Sequence, residues 1–367
     1  MPMPTVKNVL DFLTREAPLS LAEDYDNVGL LIGNAELEVT GVLSTLEVTP
    51  EGIQAALEKE CNLIVSHHPL IFRGLKRIDL QSSQGNMIND LLRHHIALIA
   101  LHTNWDRFHG GTSFYMGRLL GLENLQVLAP EPGRLSRLAF TVPSNKAQQL
   151  RSRFTELLRS VSTRYDSTAQ WWEVTESFRP INNAQPRDGS LEQLSEKSLI
   201  KLVYILHDDQ IASAFTILRK EHPYEEFWYE IQSLDNTAQT VGFGSIGNFR
   251  EPMTWQDCLL KVKETFGCDV IRHSRPPQRL IQRVAFCGGS GASLYPEACR
   301  AGADVFITAD VKYHDLAEAS PGTMIADIGH YESEYRVAEQ FRDLLRTFLP
   351  VSVPVHVFHP KNPVFYS

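Results

Sequence analysis

The sequence predicts an α/β protein in which a discontinuous core with mainly parallel sheets is interrupted by an α+β insertion of ferredoxin-like order. Three observations lead there. In the first third, short apolar runs alternate with helix-like segments; between about Gly133 and Asn236 the rhythm changes to strand, helix, strand, strand, helix, strand; after Gly242-Phe243-Gly244 the first rhythm returns. Nearly continuous apolar strands separated by helices signal parallel pairing with both sheet faces covered. The expected division is a core of residues 1–132 and 237–367 around an insertion of residues 133–236.

Each element has its own local reason. Thr5 is placed to cap a helix that carries Val6, Val9, Leu10 and Leu13 at helical spacing. The runs Val42 to Leu46, Asn62 to Val65 and Ile96 to Ala100 read as strands, with Pro50 to Glu58 and Asn86 to His94 as the helices between them. In the middle stretch, 135–142, 170–177, 200–206 and 227–234 read as strands and 145–158 and 210–220 as helices. That succession is the ferredoxin-like unit. Polar residues from Pro180 to Lys197, with a Pro186-Arg187-Asp188-Gly189 turn, read as a surface loop between its halves. Further on, Arg283 to Cys287, Asp304 to Ile307 and Met324 to Ile328 read as strands, and Glu334 to Phe348 as one amphipathic helix.

Composition narrows the function classes. A chain of 367 residues with 43% hydrophobic content has ample core for more than one domain. No apolar stretch approaches the roughly 18 residues of a membrane span, and Met1 to Lys7 lack a basic segment followed by an apolar one, so a cytoplasmic location is expected. The five cysteines, Cys61, Cys258, Cys268, Cys287 and Cys299, are scattered and show no Cys-x-x-Cys spacing, which argues against disulfides and a thiolate metal site. A formal charge of −9 disfavours nucleic acid as a partner. The basic stretch Arg272, Arg275, Arg279 and Arg283 reads as a solvated linker rather than an anion site.

The chemistry-bearing residues gather at strand ends. Ser66-His67-His68-Pro69 closes an apolar run, and Pro69 forbids further ladder pairing, so the chain leaves the sheet where both imidazoles can turn to one edge. Asp106 follows a second run. His330 and Glu334, after a third, are four apart at the start of a helix and stack on one face; the alternative for this pair is an ordinary surface ion pair. Together His67, His68, Asp106, His330 and Glu334 form a nitrogen-and-oxygen ligand set suited to Zn, Fe or Mn. Two divalent ions bring four positive charges against two carboxylates, which favours a bridging hydroxide and an anionic substrate, and the long arm of Glu334 makes it the candidate bridge. Glu332 falls on another helix face and suits a supporting role. His102, Asp310, His314 and Asp327 also lie near strand ends, where they either orient ligating imidazoles or serve as ordinary polar residues.

Two further motifs have open readings. Cys287-Gly288-Gly289-Ser290-Gly291 after a strand is either a tight turn required by packing or a cradle of N–H groups for an anion. His222-Pro223-Tyr224-Glu225-Glu226 is either a turn with a solvated acidic pair or a ligand or subunit contact.

These residues resemble the ring-forming, dinuclear-metal family named after the yeast NGG-interacting factor three, whose bacterial members are labelled GTP cyclohydrolase I type 2 homologues. The resemblance rests on Asp26-Asn27-Val28-Gly29-Leu30, Ser66 to Phe72 with Gly74-Leu75-Lys76, His102 to Asp106 with Gly110-Gly111, Gly288 to Gly291, Gly302 to Asp304 with Thr308 to Asp310, and Gly329 to Glu334. It implies metal ligation by His67, His68, Asp106, His330 and Glu334, a toroidal homohexamer with its sites facing a cavity, and a middle domain similar to PII and CutA. Tyr25, Glu47, Ser113 and Ala309 stand where the family commonly has Trp, Asp, Asn and Gly.

The function expected from all this is metal-dependent hydrolysis of a small nucleotide-like or phosphorylated molecule, two divalent ions per chain activating a shared water. The competing expectation is a non-catalytic hexameric metal-binding regulator or chaperone whose insert senses a ligand.

Overall fold

The computed structural model describes residues 3–131, 134–162, 164–182, 184–185 and 189–365. The chain separates into two compact units, Met1–Ala129 with Val241–Ser367, and Pro130–Thr240. It is a mixed α/β protein with three sheets among the described residues.

The larger unit holds two sheets. The first has the strand order Gly29–Ile32, Ala97–Ala100, Leu63–Ser66, Val42–Thr45, Val355–Phe358. All its pairings are parallel except that of Gly29–Ile32 with Ala97–Ala100. Both faces are covered, which is why the strands Val42–Thr45, Leu63–Ser66 and Ala97–Ala100 are buried at every residue. The capped helix Val6–Glu16 begins at Thr5, whose hydroxyl accepts the Asn8 N–H at 3.3 Å, and buries Val6, Val9 and Leu13 on one face.

The second sheet departs from the mainly parallel expectation. Its strands Ile281–Phe286, Val305–Thr308 and Met324–Asp327 run parallel, while Arg272–His273 and Gly242–Met253 pair antiparallel on either side and Glu123–Pro130 lies beyond Gly242–Met253. Parallel neighbours need a crossover between consecutive strands, and short helices Tyr295–Arg300 and Tyr313–Ala317 supply it within the trio. Helix Trp255–Phe266 instead carries the chain across to the far edge, to Arg272–His273.

Two other expectations are corrected here. The basic stretch 272–283 is fastened to the sheet: Arg279 Nε donates to Asp304 Oδ1 at 2.7 Å and Arg272 Nη2 lies 3.1 Å from Asp327 Oδ2. Asp304 is buried and already accepts the N–H groups of Gln282 and Arg283, so its charge calls for a cation beside it. The helix expected from Glu334 to Phe348 is two, His330–Glu334 and Val337–Phe348. At the break, the Glu339 N–H donates to the Arg336 carbonyl in the tighter three-residue pattern, and the Arg336 guanidinium is held by Glu339 at 2.8 Å.

Helix Val337–Phe348 joins the last third of the chain to the first. Trp105, 1% exposed, donates from Nε1 to Gln340 Oε1 at 3.0 Å and meets Phe341 edge-on at 5.1 Å. Ser44 Oγ, from the first sheet, donates to the Ala338 carbonyl at 2.8 Å. Asp106 and Glu334 are therefore placed by elements that share one hydrophobic core.

The smaller unit is a four-stranded antiparallel sheet in the order Ala169–Phe178, Ser195–His207, Leu135–Val142, Tyr229–Ser233. Leu150 and Phe154 of helix Ser144–Leu157, and Ala214 and Leu218 of helix Ile211–Glu221, share a core with Leu138, Phe140, Leu202 and Tyr204. The expected turn at 186–189 lies outside the described residues except for Gly189. His222 of the expected motif is held by its neighbours in this unit. Its Nε2 donates to the Thr141 carbonyl at 2.8 Å, its Nδ1 accepts the Tyr224 N–H at 3.2 Å, and its ring stacks on Phe227.

No helix among the described residues is long and apolar enough to cross a membrane.

Candidate metal centre

His67 and His68 stand immediately beyond strand Leu63–Ser66, where the His67 N–H still reaches the Thr45 and Leu46 carbonyls and the His68 N–H reaches Leu46 at 2.7 Å. Asp106 lies in the short helix Thr103–Arg107 after strand Ala97–Ala100. His330 and Glu334 open and close the short helix His330–Glu334. The structure brings all five side chains to one place: His67 Nε2 is 3.5 Å from Asp106 Oδ1, and Glu334 Oε2 is 3.1 Å from Nε2 of both His68 and His330.

The imidazoles share one orientation. His67 Nδ1 donates to the Leu101 carbonyl at 2.8 Å, and His330 Nδ1 to Asp310 Oδ2 at 2.7 Å. His102 Nδ1 donates to Asp26 at 3.0 Å, and His68 Nδ1 faces Glu47 Oε2 at 4.0 Å. An outward-pointing Nδ1 turns Nε2 inward: neutral His67 keeps its lone pair there, while Nε2 of His68 and His330 donates to Glu334 until an ion takes the proton's place. His67 Nε2 is buried and has no hydrogen-bond partner among the described residues. An orphaned imidazole nitrogen beside a carboxylate is costly unless a cation takes it, and the donor set of imidazole and carboxylate suits a divalent transition ion. Among the described residues, His67, His68 and His102 form one group with the spacing to hold an ion, and His68, His330 and Glu334 another.

Electrostatics point the same way. Burial depresses the His67 pKa to about 3, keeping it neutral. Burial opposes the charged form of His68 too, but hydrogen bonds to Glu334 and Glu47 raise it to about 10; Glu334 raises His330 to about 9. Glu334 is buried, yet its two imidazole hydrogen bonds hold its carboxyl well below the usual range. Asp106 moves the other way, to about 7, through burial and the Glu334 charge. A buried and a partly buried carboxylate with opposed shifts form a site short of positive charge.

The glycine loop is shaped by Glu334. A Cβ on Gly289, at φ +59°, would stand 2.5 Å from Glu334 Oε1. Its three glycine N–H groups are already engaged: Gly289 donates to Ser333 Oγ at 2.9 Å, Gly291 to Thr308 Oγ1 at 3.1 Å, and Gly288 to Ser113 Oγ at 3.4 Å. The tight-turn reading of the loop therefore replaces the anion cradle.

Of the residues expected to orient imidazoles, Asp310 does so for His330 and also accepts from Ser290. His102 does not orient another imidazole; its own ring is oriented by Asp26, and it turns into the site. Asp327 instead accepts the Val311 and Gly329 N–H groups, because the chain turns sharply around it. Glu332 is buried against Asn362 at 2.8 Å, on the helix face away from the imidazoles. His314 is exposed on helix Tyr313–Ala317 and meets only the Tyr313 ring among the described contacts. The sequence marks Asp26 only within a motif and Glu47 only as a departure from the family, and assigns neither to an imidazole, because a carboxylate in a loop carries no period. A loop Asp just ahead of a strand, with His and Thr beyond a second strand, was the available signal.

The comparisons agree with one another. A relative from Staphylococcus epidermidis called GTP cyclohydrolase 1 type 2 homolog is 32% identical over 345 residues, 94% of this chain and 93% of the relative. One from Staphylococcus aureus with the same name is 30% identical over 347 residues, 94% of each. A solved Bacillus cereus protein related to NIF3 superposes with a TM-score of 0.84 at 28% identity, covering all of both chains. The family model described as Duf34/NIF3 (NGG1p interacting factor 3) matches residues 4–363, and the chain is a member of that family.

Proposed function

We propose that this protein is a metal-dependent hydrolase with a dinuclear centre of two divalent ions, Zn, Fe or Mn, held by His67, His68, Asp106, His330 and Glu334. The observation that carries the reading is the convergence of inward-facing imidazole nitrogens on buried Glu334 and partly buried Asp106, with His67 Nε2 left without a partner among the described residues. Bound there, the ions would lower the pKa of a shared water and polarise an electrophilic carbon or phosphorus. The chain's part is to fix the tautomers through Leu101, Asp310 and Asp26, and to keep Glu334 ionised between His68 and His330.

The substrate class proposed is a small nucleotide-like or phosphorylated molecule, with ring opening of GTP one version suggested by the names of the relatives. Self-association as a homohexamer, a cytoplasmic location, and a ferredoxin-like, PII- and CutA-like role for Pro130–Thr240 belong to the same proposal. The antiparallel strand order of that unit supports its last part.

The test is elemental analysis of purified protein followed by a turnover screen against nucleotides and phosphoesters. His67→Ala and Glu334→Ala should remove both metal and turnover. Activity that survives without bound metal sinks the proposal, while bound metal without turnover on any member of the screen favours the non-catalytic regulator.

A further inference from the structure

We propose that His102 is a sixth metal-ligating residue of this centre and that Asp26 is the residue that positions it. The inference rests on the dinuclear reading above and adds a residue and its support to it.

The first observation is orientation. His102 Nδ1 stands 3.0 Å from both oxygens of Asp26, so Nδ1 carries the proton and Nε2 carries the lone pair. The ligand atoms of His67, His68 and His102 lie within 4.8 Å of one another, the range expected around one ion or a close pair of ions. The rings of His67 and His102 meet edge-on at 5.3 Å.

The second observation is that the support is built. The Asp26 side chain is fully buried at 0% exposure. Besides His102, it accepts the Thr103 N–H at 3.0 Å, the Thr103 hydroxyl, and the Asn27 N–H at 2.8 Å. Burial works against its charge, but the hydrogen bonds from His102 and Thr103 outweigh it and hold the carboxyl well below the ordinary range. A buried carboxylate with its lone pairs committed in this way is a rigid acceptor that admits one tautomer of His102.

The third observation is a count of lone pairs. His68 belongs to both groups with metal-holding spacing, yet its inward nitrogen has one lone pair. Its 3.1 Å approach to Glu334 assigns it to the group with His330. Apart from the shared Glu334, that leaves His67 and Asp106, 3.5 Å apart, as the protein ligands of the other ion. With His102 each ion has two imidazoles, His68 and His330 for one and His67 and His102 for the other, and the orphaned His67 Nε2 and the inward nitrogen of His102 face the same space.

Co²⁺ is the probe. Metal-stripped wild-type protein titrated with Co²⁺ should take up about two equivalents. Its proton spectrum should show four exchangeable, hyperfine-shifted imidazole N–H signals, one each from His67, His68, His102 and His330. His102→Ala should lose one signal and bind the second equivalent at least about tenfold more weakly; Asp26→Asn, checked for folding by circular dichroism, should weaken it about 10–100-fold. Three signals in the wild type, or His102→Ala with both affinities and the visible absorption spectrum unchanged, would overturn the inference while leaving the five-ligand centre intact. Wild-type protein that takes up no Co²⁺ sinks the dinuclear reading and this inference with it.

Discussion

His330 Nδ1 stands 2.7 Å from Asp310 Oδ2, and Asp310 reaches it from a left-handed backbone at φ +54°. The neighbouring Ala309, where the family commonly has Gly, is not among the residues of positive φ, so the methyl group is tolerated there. Asp310 thus accepts backbone strain in order to face the imidazole.

Asp310→Asn keeps the shape and suits the same backbone region but removes the charge from the acceptor. Metal affinity should fall about 10–100-fold, measured by calorimetric titration. Asp310→Ala should lose as much affinity and also lower the melting temperature. Unchanged affinity in both variants would show that His330 does not need this carboxylate.

Gly289→Ala places a methyl carbon 2.5 Å from Glu334 Oε1 at a φ of +59°. Either the loop or the carboxylate must move, and the backbone strain alone costs about 1–3 kcal/mol. The expected result is a lower melting temperature together with loss of bound metal. The control is Gly74→Ala, whose added Cβ would have nothing within 4 Å and which should leave both readings unchanged.

Above pH 7 the metal-free protein should lose stability. The folded pKa values of His68 and His330, about 10 and about 9, lie above the ordinary histidine value of about 6.5. A raised base stabilises the fold fully below its unfolded pKa and loses that contribution as pH climbs through the folded one. Urea midpoints should therefore decline from about pH 7 toward pH 10. Divalent ions need neutral imidazoles, so Co²⁺ affinity should rise over the same window, by about tenfold per pH unit for each proton released. Binding heats measured in buffers of different ionisation enthalpy count those protons, and heats independent of buffer would contradict the prediction.

Trp105→Ala removes the fully buried ring that meets Phe341 and leaves the Gln340 amide without its donor. The expected loss is about 3–5 kcal/mol in equilibrium denaturation. Because the same helix carries Asp106, weaker metal binding should accompany it. His222→Ala, in the other unit, should lower stability through the lost Thr141 bond and leave metal content unchanged.

What the sequence by itself determined is local. The strands at 42–46, 62–65 and 96–100 and the helices at 6 and 50 were legible because burial on two faces leaves unbroken apolar runs and because Thr5 and Pro50 mark helix starts. His67, His68, Asp106, His330 and Glu334 stood out because their residue types fall at strand ends and at helical spacing. Only the tertiary structure decided that Asp26 faces His102, that Glu47 faces His68, and that the glycine loop makes room for Glu334 rather than an anion. It also decided where the second sheet reverses direction and where the last helix breaks. The reason is range: periodicity and capping report forces acting within a few residues. Hydrogen bonds such as His102 to Asp26 and His68 to Glu334 join positions 76 and 266 residues apart, and they exist only once the core has brought those loops together.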